Sequence, residues 1–133
     1  MYPLNISGRI LIRRKKELDL LTELKGMGTN IDEGLERCMN NVGLYEKLLK
    51  KVPQNIEKLE VLPYFESGDY ETALMNAHTI KGVAGNLSLT PLFSAYSDIV
   101  NLLRADKPDE AKKILVGILP LQGQIVDCIK KYC

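Results

Sequence analysis

The sequence predicts an all-α fold: an antiparallel four-helix bundle with additional short or N-terminal helices. Three observations carry that prediction. Apolar residues recur at helical spacing from about residue 31 onward, and no stretch sustains the alternation of a half-buried strand. Breaking residues stand where helix ends are needed. Helices with one apolar stripe each, joined by short loops, bury those stripes by packing side by side.

In chain order, Asn30-Ile31-Asp32 opens a short helix through Leu35 and Met39, and Asn40-Asn41 closes it. Leu44, Tyr45, Leu48 and Leu49 repeat at helical spacing until Pro53, which lacks an N–H and marks a break or kink. Ile56, Leu59, Leu62 and Phe65 continue the apolar face. Ser67-Gly68-Asp69 is a boundary, with glycine ending one helix and Asp69 capping the next, which runs to about Leu87. Thr90 as N-cap and Pro91 as first helical residue restart the chain, and Leu92, Ala95, Tyr96, Ile99 and Leu102-Leu103 form the next face. Asp106-Lys107-Pro108-Asp109-Glu110 is the last start signal, its acidic groups placed favourably near a helix N-terminus. The final helix carries Ala111, Ile114, Leu115, Ile118, Leu121, Ile125 and Ile129, and Gly117 and Pro120 should bend it. Residues 1–30 read as an N-terminal extension, helix or linker, because Gly26-Met27-Gly28 separates a possible helix from Ile6 to Lys25 from the rest; residues 31–133 read as the domain.

Composition narrows the function classes. With 133 residues the chain is one domain, large enough to bury a core, and 45% apolar with 26% charged residues is ordinary for a globular protein. A net charge of +1 argues against nucleic acid as a partner, since that affinity rests on a broad basic surface. The run Arg13-Arg14-Lys15-Lys16 is the local exception and reads as a solvated helix face or linker. Cys38, Cys128 and Cys133 have no short paired spacing, and with one histidine the chain lacks the ligand supply of most structural metal sites, so no metal or disulfide framework is expected. No segment approaches the roughly 18 apolar residues of a membrane span and none resembles an export signal. The expectation is a cytoplasmic monomer with no direct membrane contact.

The chemistry concentrates around the single histidine, in Ala77-His78-Thr79-Ile80-Lys81-Gly82-Val83-Ala84-Gly85-Asn86. At about 100° per residue, Ala73, Ala77, Ile80, Ala84 and Leu87 fall in one narrow stripe, the buried face. His78 then points roughly 140° away, towards solvent. Lys81 (i+3), Gly82 (i+4) and Gly85 (i+7) lie on the histidine's side. Glycine within a helix costs about 0.5–1 kcal/mol relative to alanine, so two of them ask for a reason. The reason proposed is clearance: another protein's surface can reach the imidazole. Leu74 and Met75, on the same side, would give that surface apolar contact. Taken singly, a lone histidine is ordinarily a surface or core-edge residue and a helical glycine ordinarily serves packing. Here they converge on one patch.

The run His78-Thr79-Ile80-Lys81-Gly82-Val83-Ala84-Gly85-Asn86 resembles the phosphoacceptor motif of histidine-containing phosphotransfer (HPt) domains of two-component relays. The resemblance extends over about residues 31–131. Gly34-Leu35-Glu36-Arg37 and Leu44-Tyr45-Glu46-Lys47-Leu48-Leu49 look like the family's opening helices, and Glu66-Ser67-Gly68-Asp69-Tyr70 is similar to its loop before the histidine helix. Ser88 departs from the pattern, where a small residue, often glycine, is common; Pro120 is unusual in the last helix.

The resemblance implies that His78 takes a phosphoryl group, through Nε2, from an aspartyl phosphate on a response-regulator receiver domain and passes it to an aspartate on another receiver. Imidazole suits this role because it is the side chain that exchanges its proton near neutral pH. Lys81 would act as a point charge offsetting the phosphoryl group's negative charge. Thr79 reads as a solvent-side residue, and Asn86 as serving the helix C-terminus. No cofactor is expected on this chain: Mg²⁺ would belong to the partner receiver. No ATP-binding loop is present, so the chain is a carrier and not a kinase, either free-standing or part of a hybrid sensor histidine kinase, itself a candidate partner. The competing readings are the phosphoacceptor domain of a chemotaxis-type histidine kinase and a non-catalytic helical adaptor that uses the Leu74, Met75 and Gly82 patch only for docking. A histidine-dependent hydrolase is weak, since no nucleophile and orienting acid can be identified by spacing.

Overall fold

The computed structural model describes residues 19–133, and a few capping and turning residues set the helix ends within that span. Residues 19–26 are helical (α1), followed by α2 (Ile31–Arg37), α3 (Val42–Leu49), α4 (Val52–Lys58), α5 (Leu62–Glu66), α6 (Tyr70–Asn86), α7 (Thr90–Arg104) and α8 (Pro108–Lys131). No strand occurs among the described residues. Side chains of Asn30, Asn41 and Asp69 accept from the N–H groups of Glu33, Leu44 and Thr72, satisfying donors that α2, α3 and α6 leave without internal partners. α4, α5, α7 and α8 instead begin with a proline in their first two positions, where a missing N–H costs no helical bond.

Helices α1, α2, α6 and α7 all end on one motif. The turning residue takes a positive φ, and the N–H after it reaches a carbonyl five residues back. The turning residues are Gly28, Met39, Ser88 and Asp106, and the bonds run from Thr29 to Leu24, Asn40 to Leu35, Leu89 to Ala84 and Lys107 to Leu102. Only the first of these residues is glycine. A side chain in the left-handed region costs roughly 1–2 kcal/mol, a cost that Met39 and Ser88 carry and that aspartate bears more easily.

These turns shift several expected boundaries. Met39 and Asn40 both have positive φ, so α2 stops at Arg37, and Asn41 opens α3 instead of closing α2. Leu89 takes the capping position of α7 and Thr90 is its first residue. Ile56 to Phe65 do not form one continuous helix: α4 ends at Lys58, and Pro63 restarts the chain in α5. α8 runs through Pro120 as one helix. Pro120 and Val116, whose carbonyl loses its donor there, are both exposed, which leaves that carbonyl to water.

α6, α7 and α8 follow one another through three-residue connections and pack in antiparallel pairs, α6 on α7 and α7 on α8. α4 and α5 together fill the fourth position of the bundle, each touching both α6 and α8. Tyr45, Leu49, Leu92, Tyr96, Ile99, Leu115, Ile125 and Ile129 are fully buried at its centre. Leu20 and Leu24 of α1 are buried in the same core, and Glu23 pairs with Lys131 at 2.7 Å. The expected boundary at residue 30 therefore falls inside packed structure. Gly28, read as part of a linker, is a helix cap with φ 96°, and a Cβ there would lie 2.7 Å from Pro91 Cγ. The run Arg13-Arg14-Lys15-Lys16 and the part of the expected first helix before residue 19 lie outside the described residues. No helix among the described residues is long and apolar enough to cross a membrane.

Candidate functional site

α6 is a platform fastened along one side. Ala73, Ala77, Ile80 and Ala84 are buried along its length, and Leu87 closes the stripe just past its end. Asp69 caps its start twice, accepting from the Thr72 N–H at 3.1 Å and from the Thr72 hydroxyl at 2.7 Å. α7 packs closely along α6, and dense contact of that kind holds a helix rigidly. His78 stands on the opposite, exposed face. Thr79 is exposed too, and its hydroxyl donates back to the Met75 carbonyl at 3.1 Å, so it serves its own helix.

His78, Lys81, Gly82 and Gly85 line one open cleft of about 530 Å³. Leu74 and Met75 do not line it. Leu74 is half-buried and packs against the core, whereas Met75, one turn before the histidine, is 63% exposed. The two glycines differ. A Cβ at Gly82 would meet nothing within 4 Å, so this side of the cleft is open to an approaching surface. A Cβ at Gly85 would lie 3.0 Å from the ring of Phe93 on α7. Gly85 thus seats a side chain of its own chain, and the clearance expected for a partner is taken up by Phe93. The Lys81 ammonium lies 6.0 Å from the centroid of that same ring, at the outer limit of a cation–π contact.

The far wall of the cleft comes from α2 and the α6–α7 turn, through Asn30, Glu33, Arg37, Ser88 and Thr90. Two tertiary contacts bring α2 there. Gly34 lets α2 lie directly on Tyr45, where any Cβ would overlap the ring and hydroxyl. The buried Tyr45 hydroxyl donates to the Leu87 carbonyl at 2.7 Å, and burial pushes its phenol up to about 12. The Asn30 N–H donates to the Ser88 carbonyl at 2.9 Å, and the Ser88 hydroxyl donates to Glu33 Oε1 at 2.9 Å. Ser88 carries this bond from a left-handed turn (φ 55°), the position where the family resemblance leads one to expect a small residue. Glu33 in turn pairs with Arg37 Nε at 3.3 Å.

The arrangement offers an exposed imidazole beside two cations, Lys81 and Arg37, and one hydrogen-bonded carboxylate, Glu33. Chemically it can present a nucleophilic nitrogen and receive an anion. No group of three or more His, Cys, Asp or Glu side chains that could hold a metal ion occurs among the described residues. Sequence reasoning missed Glu33, Arg37 and Phe93 as members of the site. Gly85 carried a signal for Phe93, because a helical glycine facing inward implies something large opposite it. Nothing in sequence placed α2 beside His78.

A family model described as Hpt domain matches residues 43–130, more than half of the chain. No curated protein and no solved structure matches it.

Proposed function

Because this chain belongs to the Hpt domain family, whose members carry phosphoryl groups in two-component signalling, we propose that His78 is its phosphoacceptor, loaded by one receiver domain and unloaded by another. The observation that carries this reading is the position of the single histidine: exposed, at a cleft, on a helix whose other face is fully buried. In the loading step, Nε2 attacks the phosphorus of the receiver's aspartyl phosphate. The N–P bond forms as the P–O bond to the aspartate breaks, and the carboxylate leaves with the electron pair. The proton on Nδ1 stays on the ring, and delivery to the second receiver is the reverse. Rigidity of α6 supports in-line approach, since misplacing a reacting atom by about 1 Å can cost on the order of a hundredfold in rate.

In this reading Lys81 leaves its place near Phe93 to meet the phosphoryl oxygens, as a mobile point charge would. The open side at Gly82 admits the receiver, and exposed Met75 gives it apolar contact. Mg²⁺ belongs to the receiver's acidic site. The chain acts as a cytoplasmic monomer that docks one receiver at a time.

The test is incubation with a phosphorylated receiver, with Mg²⁺ present and ATP absent. Acid-labile, alkali-stable label should appear on the wild-type chain and vanish in His78→Gln. Label that appears only when a histidine kinase and ATP are supplied would replace this reading with that of a kinase phosphoacceptor segment. Receiver binding without label under either condition would leave a docking adaptor.

A further inference from the structure

We propose that Arg37 is a second phosphoryl-binding cation of this site, held in reserve by Glu33 and shared with the phosphoryl group once His78 is loaded; this rests on the phosphoacceptor role of His78. The argument starts from charge. Among the described residues, the ionised groups lining the cleft are Lys81, Arg37 and Glu33, a surplus of one positive charge before transfer. A phosphoryl group brings close to two negative charges, which reverses the balance. Without Arg37 the loaded cleft would hold one cation against the phosphoryl group and a carboxylate.

Glu33 cannot simply turn away from that new charge. Its Oε1 accepts from Ser88 at 2.9 Å, and its backbone N–H is held by Asn30 Oδ1 at 3.2 Å. With the Asn30 N–H to Ser88 carbonyl bond it ties α2 to the α6–α7 turn, so its negative charge stays in the cleft. Arg37 is the partner free to divide itself. It meets Glu33 through Nε at 3.3 Å with about half its side-chain surface exposed, and a guanidinium carries two further NH₂ groups that can serve a second anion at the same time. One turn of helix separates the two residues, the spacing at which side chains on one helix face meet. Loading His78 then converts an ordinary surface ion pair into a three-body contact of carboxylate, guanidinium and phosphoryl group.

The experiment measures how label divides at equilibrium between the receiver and this chain, for the wild type, Arg37→Gln, Arg37→Lys and Glu33→Gln, with thermal melts of the unphosphorylated proteins alongside. Arg37→Gln should shift the division towards the receiver by about two- to tenfold, the range of one partly screened charge contact. Arg37→Lys should recover part of that shift. Glu33→Gln keeps an acceptor for Ser88 while removing the carboxylate charge, and should move the division the opposite way. Opposite signs from two members of one ion pair are not what a merely structural role would produce. An unchanged division in Arg37→Gln, or a shift of the same sign in Arg37→Gln and Glu33→Gln, would overturn the proposal. Absence of label from wild-type His78 would instead overturn the phosphoacceptor reading beneath it.

Discussion

The two walls of the cleft are built in different ways. On one side, His78, Lys81 and Gly82 are neighbours because a regular helix repeats every 3.6 residues, and α6 carries them within five positions of sequence. On the other side, Glu33, Arg37 and Ser88 meet only because α2 lies on Tyr45 and α6 ends in a left-handed turn at Ser88. The first wall holds His78, the proposed phosphoacceptor, together with Lys81, and the second adds the charges of Glu33 and Arg37. The glycines mark the same division: Gly82 faces open space and Gly85 faces Phe93. A contiguous motif can thus carry the chemistry while its surroundings are supplied by tertiary structure.

Substitution at the two glycines is the sharpest way to break that contrast. Gly82→Leu should leave the fold intact and weaken receiver docking at least tenfold, about 1.4 kcal/mol or more, because it fills the open side; titration of a receiver by calorimetry checks this. Normal docking by that variant would remove the clearance argument. Lys81→Ala should slow phosphotransfer about tenfold in a stopped assay with helicity unchanged, the scale of one charge-assisted contact. Gly85→Ala should push the exposed Phe93 ring aside by a few tenths of an ångström, a cost set against alanine's helix gain of about 0.5–1 kcal/mol. Stability in denaturant unfolding should therefore change by less than about 1 kcal/mol, and docking less than in Gly82→Leu. If Gly85→Ala hurt docking more than Gly82→Leu, the assignment of the two glycines would be reversed.

The second wall and the core behind it also predict a pH effect. Burial holds the phenols of Tyr45 and Tyr96 up to about 12, against an ordinary value near 10. Between these values the unfolded chain gives up protons that the folded chain keeps, so stability is full below about pH 10 and falls towards pH 12. Thermal melts across that range should show the decline, and Tyr45→Phe should reduce its slope. The smallest effect expected is at the end of α2. Met39→Gly relieves a left-handed side chain that is 86% exposed, and should raise stability by about 0.5–1 kcal/mol after glycine's own entropic cost.

What could be read from sequence follows the same line. The buried stripe of α6, the Asp69 cap and the exposed histidine all follow from periodicity and capping chemistry, and the structure has them in place. The end of α2 escapes sequence reading because a left-handed methionine at position 39 gives no local signal. Gly28 misled in the opposite sense. A glycine preceded by Gly26 and Met27 looks like a linker, yet it caps α1 against Pro91, and Leu20 and Leu24 of that helix lie in the core. The Glu33–Arg37 spacing is visible in the chain. Its place beside His78 depends on the contact of Gly34 with Tyr45, which no local pattern encodes.

The most direct test of the account is a chase. The chain labelled at His78 is separated from its donor and mixed with an unlabelled second receiver and Mg²⁺, and the location of the label is followed with time. The account predicts that label leaves His78 and appears on the receiver's aspartate, faster than it is lost to water from the chain alone. Label that stays on His78, or reaches water at the same rate with and without the receiver, would contradict the carrier role.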